Sequence, residues 1–101
     1  GENFKNKISQ KTLSLFKQVY GQNMQPYQLK LITEYNFSEE IIQKALKLAG
    51  LHNAQTLQYL LDILADWKNE GVNSLEEVED LIQKFKNPEE YYEHEVERQY
   101  R

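Results

Sequence analysis

Apolar residues recur at helical spacing in five consecutive segments, and residues that favour turns or helix ends separate these segments. The spacing predicts helices over about 8–20, 26–35, 39–50, 54–69 and 75–87. The apolar stripes of the second, third and fifth segments are Tyr27–Leu31–Tyr35, Ile41–Ala45–Leu48 and Leu75–Val78–Ile82–Phe85. No segment shows the strict alternation of a strand bounded by hairpin turns. The sequence therefore predicts an all-α fold, a compact bundle of five short helices.

The predicted helix ends coincide with residues suited to starting or stopping a helix. Pro26 fits the first position of the second helix, where its missing N–H costs nothing, and Pro88 closes the fifth. Three glycines stand at or just after predicted helix ends: Gly21, Gly50 and Gly71. Three polar residues are predicted to cap the third, fourth and fifth helices: Ser38, Asn53 and Ser74. Ser74 also forms a predicted capping box with Glu77.

The fourth segment is apolar over more than half of its circumference. Four leucines cluster around one direction: Leu57, Leu60, Leu61 and Leu64. Tyr59, Ile63 and Trp67 form a second stripe at positions i, i+4 and i+8. The polar residues share the narrow remaining arc: Gln58, Asp62, Asp66 and Asn69. Such a helix needs cover on two sides, so we predict that it is the central element of the bundle. Spacing alone favours packing over ligand contact for the stripe.

Length and composition restrict the class of protein further. The chain has 101 residues, which fits one domain, and it contains no Cys, which excludes a disulfide scaffold or a thiolate metal site. No apolar run reaches the ~18–20 residues of a membrane span, and no signal peptide is visible. Because the first residue is Gly1, we expect a fragment excised from a longer protein. The composition favours a cytoplasmic location.

The acidity of the chain is concentrated at its C-terminal end. The net charge is −4, but without residues 88–101 the count is 10 basic and 11 acidic residues, a net charge of −1. We therefore divide the chain into a helical domain, 1–88, and an acidic tail, 89–101. Tyr92, Val96 and Tyr100 recur at helical spacing, which makes a sixth helix plausible. That helix would either self-associate or dock on its own domain.

The sequence gives little support for an enzyme, a metal site or a cofactor site. His52 precedes a predicted helix cap and His94 lies between two glutamates, so neither belongs to a recognisable metal-binding frame. The glycines are explained as helix stops, and no Gly-rich phosphate loop is present. Asp62 and Asp66 share a helix face, which we interpret as a solvent-facing pair. We expect no catalytic residue, no metal and no cofactor.

The stretch from Phe16 to Glu77 resembles the C-terminal domain of the DnaD/DnaB family of replication-initiation (primosome) proteins of Gram-positive bacteria and their phages. The family marker Tyr-x-x-x-Ile-x-x-x-Trp is present as Tyr59, Ile63 and Trp67. A short spacer, a glycine, a β-branched residue and a capped helix follow it, as in the family. Upstream elements also fall in the family's order: Tyr20-Gly21, Pro26, Glu40-Ile41-Ile42 with Ala45, and Asn53. Gln25 departs from the Thr or Ser usual before the proline.

The resemblance implies a non-enzymatic module of DNA replication that acts while a helicase is loaded at an origin or restart site. It would bind DNA, single-stranded in preference, and contact partners such as a helicase loader or initiator in the nucleoid. The family associates DNA binding with the motif that includes Tyr59, Ile63 and Trp67. An alternative is a protein-interaction module that does not contact DNA itself.

Non-specific DNA binding depends mainly on cations that neutralise phosphates, so lysines near the motif are candidate contacts. These are Lys44, Lys47, Lys68, Lys84 and Lys86. Lys44 has an alternative role, an i,i+4 pair with Glu40 on a solvated helix face. About three phosphate contacts would give only weak binding. We expect Trp67 to pack in the core, so that the motif shapes the DNA-binding surface without touching DNA.

Overall fold

The computed structural model describes residues 8–51, 53 and 56–84 of the chain. Every regular element in these residues is an α-helix: α1 Gln10–Tyr20, α2 Pro26–Thr33, α3 Glu39–Leu51, α4 Leu57–Asn69 and α5 Leu75–Gln83. The predicted all-α bundle of five helices is confirmed. The closure of the fifth helix at Pro88, the sixth helix and the acidic tail fall outside the described residues.

Local sequence signals account for most of the helix ends. Gly21 takes the left-handed conformation at the end of α1, with φ of 75°, and its N–H donates to the Lys17 carbonyl at 2.7 Å. Pro26 is the first residue of α2, as predicted. The start predicted for the first helix at residue 8 is slightly early, because Ser9 is the N-cap and its Oγ accepts from Thr12 N–H at 3.4 Å.

The cap predicted for the fifth helix is confirmed. Ser74 is the N-cap of α5, and its Oγ accepts from the Glu77 N–H at 3.2 Å. The Glu77 carboxylate reaches back to accept from the Asn73 N–H at 2.9 Å and from the Ser74 hydroxyl at 3.3 Å. The Glu77 N–H, which has no partner within the helix, is therefore paired, and the reciprocal bond of the predicted capping box goes to the Asn73 N–H in place of the Ser74 N–H.

The sequence predicted that Gly50 stops the third helix and that Asn53 caps the fourth. Both predictions were wrong, and both concern the connection between α3 and α4. Gly50 does not stop α3, which continues to Leu51. A β-carbon at Gly50 would lie 3.1 Å from Cγ2 of Val19, so the residue's role is to let α1 approach α3 closely. Asn53 has φ of 58°, and its N–H donates to the Gly50 carbonyl at 3.2 Å, a left-handed residue following α3. Thr56 caps α4 instead, through its Oγ1 and the Tyr59 N–H.

The helix with the widest set of neighbours is α3, which packs against α1, α4 and α5, whereas α4 packs against α2 and α3. The predicted central position of the fourth helix is therefore shared with α3. Its predicted start at residue 54 is also corrected, since α4 begins at Leu57. The side chains buried most deeply come from all five helices: Trp67, Phe16, Ile32, Ile41, Ile42, Leu46, Leu60, Ile63, Leu64 and Val78.

The buried face of α2 differs from its predicted apolar stripe. Tyr27 is 64% exposed and Leu31 is 38% exposed, so this part of the stripe faces away from the core. Ile32 is fully buried, and the buried Gln28 accepts the Gln25 N–H at 2.7 Å through its Oε1. The inward face of this short helix thus includes an amide that stabilises its own N-terminus.

Contacts at both ends show that α1 and α3 run parallel. Near their N-termini, Glu39 Oε1 accepts from Ser9 N–H at 2.8 Å, from Ser9 Oγ at 2.8 Å and from Thr12 Oγ1 at 2.7 Å. Gln43 Nε2 donates to Thr12 Oγ1 at 2.9 Å one turn further along α3. Near their C-termini, Val19 meets Gly50. A polar cluster and a close apolar contact therefore fix α1 against α3.

The polar cluster places one negative charge beside two helix N-termini. Glu39 is the first residue of α3, and it also accepts from the N-cap of α1. Aligned helix dipoles repel, and an anion at their positive ends offsets that repulsion. The hydrogen bond from the Ser9 backbone, followed by that from the Thr12 side chain, lowers the pKa of Glu39 below its ordinary value of 4.5.

We expect Glu39→Gln to destabilise the domain at neutral pH, because a charged acceptor is replaced by a neutral one. Hydrogen bonds to charged groups contribute more than neutral ones by about 1 kcal/mol, which corresponds to a melting temperature lower by about 4–8 °C. Because the folded pKa of Glu39 is depressed, its contribution is present above pH 4.5 and is lost as the pH falls through the folded value.

Thermal melts followed by circular dichroism at pH 7 and near pH 3 check this expectation. Glu40→Gln is the matched control, since Glu40 is the next residue and its side chain is exposed. The difference between wild type and Glu39→Gln should shrink at the lower pH, while Glu40→Gln should match wild type throughout. Equal melting temperatures for all three proteins at pH 7 would contradict the role assigned to Glu39.

Candidate functional site

The Tyr59–Ile63–Trp67 stripe lies in the core of the domain. Tyr59 is 5% exposed, and Ile63 and Trp67 are fully buried. The leucines on the same side of α4, Leu60 and Leu64, are also fully buried, so the stripe and these leucines form one continuous packed face. The ring face of Trp67 is therefore covered by protein, which agrees with the predicted packing role.

The residues that follow the stripe form a Schellman motif, which ends α4. The Val72 N–H donates to the Trp67 carbonyl at 3.1 Å, and the Gly71 N–H donates to the Lys68 carbonyl at 3.1 Å. Gly71 has φ of 77°, the left-handed conformation that this motif needs. Val72 is buried like Trp67, as expected for the apolar pair that accompanies the motif. The stripe of Tyr59, Ile63 and Trp67 thus forms part of the packed face of α4, and Gly71 and Val72 form the turn that closes the helix.

The prediction that both aspartates of α4 face solvent was wrong for Asp66. Asp66 is only 7% exposed, whereas Asp62 is half-buried and accepts from Gln58 Nε2 at 2.8 Å. The error arose because Asp66 was assigned to the polar arc by its residue type. In the structure this position borders the buried Tyr59 side of the helix, where α4 is covered.

The predicted phosphate contacts are spread over three helices. Lys44 and Lys47 lie three residues apart on the outer face of α3, where Lys44 is half-buried and Lys47 is exposed. The exposed Glu40 and Leu51 share this face, and Leu51 is 60% exposed. This part of α3 therefore presents a mixture of both charges and an apolar side chain.

The other candidate lysines have different surroundings. Lys68 is exposed, and its Nζ lies 5.2 Å from the centre of the Phe37 ring, which is a cation–π distance. Lys84 borders a depression of about 270 Å³ together with Glu70, Glu77 and Asp80. These carboxylates reduce the positive potential available to a phosphate there. Lys86 lies outside the described residues.

Sequence reasoning missed the exposure of Tyr27. At 64%, it is the most exposed of the large apolar side chains in the described residues, and it stands on the outer side of α2. Tyr27 lies about 100° from Gln28 and 140° from Ile32 around α2, so a helix covered on one side only buries either the Tyr27 face or the Ile32 face. Choosing between the two faces required the tertiary packing.

The fold and this site define a small helical domain built around a buried aromatic–aliphatic stripe. A family model described as replication initiation and membrane attachment matches residues 13–82. This range includes most of α1, all of α2 to α4 and nearly all of α5, together with the complete signature. The chain belongs to this DnaD-like family of replication-initiation proteins.

No curated protein and no solved structure matches the chain at a significant level. Among the described helices, none combines the length and apolar character that crossing a bilayer requires. Nor do the described residues bring together three or more histidine or acidic side chains in a group suited to a metal ion. The family assignment therefore depends on the match over residues 13–82.

We expect Trp67→Ala to unfold much of the domain, because it removes a fully buried indole and leaves a large cavity. The expected cost is about 3–5 kcal/mol, a large part of the roughly 5–15 kcal/mol typical of such domains. Urea unfolding followed by circular dichroism measures this cost. Trp67→Phe should give an intermediate result, since part of the buried ring is retained.

Tyr27→Ala is the control for this prediction, because it truncates an aromatic side chain that is largely exposed. Its stability should remain within about 0.5 kcal/mol of wild type, as for most surface substitutions. A Trp67→Ala protein with wild-type stability would show that the stripe does not act through packing.

Proposed function

We propose that the chain is a non-enzymatic module of DNA-replication initiation that binds single-stranded DNA weakly and without sequence preference. We also propose that the module recruits a helicase loader or initiator while the helicase is being loaded. The observation that carries the proposal is the family match over residues 13–82, which contains the whole Tyr59–Ile63–Trp67 signature. The resemblance to primosome proteins supplies the finer role.

The placement of the chain within a larger protein belongs to the proposal as well. We propose that it corresponds to the C-terminal domain of a cytoplasmic, nucleoid-associated protein of a Gram-positive bacterium or one of its phages. The support is the order of signals from Tyr20-Gly21 through the signature to the capped helix at Ser74. This order resembles that of the C-terminal domain in the DnaD/DnaB family.

The conformation and packing of the glycines fit a binding role better than a catalytic role. Gly21 and Gly71 follow helices in the left-handed conformation, and Gly50 accommodates Val19 of a neighbouring helix. All three are thus accounted for by helix geometry, and none is needed for a loop that cradles phosphate. We accordingly propose that the module has no enzymatic activity of its own.

In the mechanism that we propose, one set of residues maintains the fold and a different set contacts the DNA. The buried stripe of α4 holds the helices in place, and surface lysines neutralise phosphates with release of counterions. The lysines predicted from the sequence to contact phosphates are Lys44, Lys47, Lys68, Lys84 and Lys86. Because DNA carries high charge along its whole length, few such contacts suffice for weak binding that does not depend on sequence.

Exposed apolar side chains support a second candidate function, a protein-interaction module that does not touch DNA. Leu51 is 60% exposed on α3, and Tyr27 and Leu31 are exposed on α2. Contiguous exposed apolar side chains mark surfaces that contact other proteins, and Tyr27 and Leu31 are neighbours one turn apart on α2. The two functions differ in their dependence on salt, since contacts to phosphate weaken steeply as ionic strength rises and apolar contacts do not.

We expect a labelled oligothymidylate to bind at low salt, with an affinity that falls as salt is added. With about three phosphate contacts, the plot of log K against log salt should have a slope of about −2. Fluorescence anisotropy at several salt concentrations measures this slope. A duplex of equal length should bind less tightly, because its bases are not available for stacking.

Absence of binding at the lowest salt would reject the DNA-binding function and favour the protein-interaction module. A slope near zero would also contradict the proposal, since it would mean that phosphates are not the main contacts. An oligonucleotide of the same length and mixed base sequence is the control for specificity. It should bind within a few-fold of oligothymidylate if sequence is not read.

A further inference from the structure

The charged residues of the chain are distributed very unevenly between its first third and the remainder. From residue 3 to residue 33 there are five lysines and no aspartate or glutamate. Residues 34–101 contain 7 basic and 15 acidic residues. Among the described residues the acid-free segment comprises α1, α2 and their connection, with Lys11, Lys17 and Lys30 all exposed. These two helices carry three exposed lysines and no acidic residue of their own, and we call them the positive part of the domain. The acidic residues next to them are Glu34, which follows α2, and Glu39, which reaches the N-terminus of α1.

A groove runs between α1 and α2 on this positive part. It consists of two adjoining depressions of about 420 and 320 Å³, which share Gln10, Leu13 and Met24. The apolar lining is completed by Ile8, Pro26 and Leu29. Polar groups at its border include Lys17 and the amides of Asn23 and Gln25. Among residues 8–51, 53 and 56–84, no acidic side chain lines either depression.

An exposed aromatic residue, Tyr27, lies on α2 about 100° around the helix from Pro26, one of the residues that line the groove. On a helical wheel of α2, Lys30 lies between Pro26, which lines the groove, and Tyr27. Tyr27 is 64% exposed, whereas Trp67 and Phe16 are buried in the core. A lysine and an accessible aromatic ring are thus neighbours on one helix surface. This is the combination used to hold a single strand, in which cations follow the backbone and a ring stacks on a base.

We propose that the face formed by α1 and α2 is the principal surface on which this chain binds single-stranded nucleic acid. Lys17, which borders the groove, and Lys30, next to Pro26 on α2, contact the phosphates of a strand that the groove accommodates, and a base stacks on Tyr27. Lys11 lies about 100° around α1 from Gln10 and contacts the strand where it leaves the groove. This inference rests on the proposed function and names the surface that performs it. We rank the lysines of α3 and α4 second, because Glu40 shares a helix face with Lys44 and Lys47, and Lys68 interacts with the Phe37 ring. Of the three lysines on α1 and α2, Lys30 has an acidic residue, Glu34, one turn further along the chain.

The shape of the face favours a single strand over an anionic membrane surface. Apolar side chains line a concave groove, whereas binding to a bilayer needs an apolar face that projects into the lipid. The exposed large apolar side chains of α2, a helix of 8 residues, are Tyr27 and Leu31. Duplex DNA is disfavoured because its paired bases cannot stack on Tyr27.

Two triple variants with the same change in net charge provide the test. The first replaces Lys11, Lys17 and Lys30 by Gln, and the second replaces Lys44, Lys47 and Lys68 by Gln. Anisotropy titration of the full chain with a labelled oligothymidylate of about 15 nucleotides covers the usual site size. The first variant should bind about 10- to 100-fold more weakly at low salt, with a salt slope reduced by about 2, and the second should change affinity far less.

Tyr27 provides an independent arm of the same experiment. Tyr27→Ala should weaken binding by about 5-fold or more, since it removes a stacking surface. Tyr27→Phe keeps the aromatic face and should bind like wild type. Circular dichroism and melting temperature should be unchanged in both variants, because the side chain is largely exposed.

The outcomes separate the inference from the proposed function. Wild-type binding that the first triple variant and Tyr27→Ala leave unchanged would overturn the inference and leave the function standing. Failure of the wild type to bind any oligonucleotide would reject both. If the wild type instead binds vesicles of phosphatidylglycerol and phosphatidylcholine, loses that binding in the first variant and ignores oligothymidylate, the face is a lipid-binding surface and the inference is wrong.

Discussion

The domain depends on the burial of one face of α4, on which Trp67, Ile63, Leu60 and Leu64 are fully enclosed. Large aromatic and aliphatic side chains supply most of the favourable free energy of a small core, because that energy grows with the apolar area removed from water. The Schellman motif at Gly71 then turns the chain so that Val72 is buried too. The family signature is therefore a packing signature. Its three side chains are buried in the core of the domain.

The second constraint is the parallel pairing of α1 with α3, which polar and apolar contacts maintain at opposite ends. The Glu39 carboxylate joins the N-terminus of one helix to that of the other, and Gly50 permits the close approach of Val19 further along. A parallel pair requires a long connection, and α2 forms that connection. Its outer face carries Tyr27 because Gln28 and Ile32 on the opposite side are needed inside.

Local features of the fold were predictable from the sequence, whereas features that depend on distant residues were not. Gly21, Pro26 and Ser74 act through their own backbone geometry or through neighbours within one turn, so their roles follow from residue type. Gly50 was misassigned as a helix stop, because its role depends on Val19, a residue of another helix. The hydrogen bond between Glu39 and Ser9 joins residues 30 positions apart, and no periodic pattern in the sequence indicates it.

The same distinction applies to the candidate site. Packing of Tyr59, Ile63 and Trp67 was predictable from their spacing, and the structure confirms that all three are buried. The burial of Asp66 and the exposure of Tyr27 were not predictable, because residue type suggested the opposite in each case. Both depend on which side of a helix its neighbours cover, and that choice is made by the bundle as a whole.

The contact between Gly50 and Val19 has a consequence for the opposite side of α1. Because only a hydrogen atom stands at Gly50 where other residues carry a side chain, α1 rests against α3 with almost no slack. A β-carbon at this position would lie 3.1 Å from Cγ2 of Val19, so a larger residue there requires Val19 or its helix to shift by a few tenths of an ångström. Because Leu13 of the same helix lines the cleft beside α2, the position of that wall depends on the contact between α1 and α3.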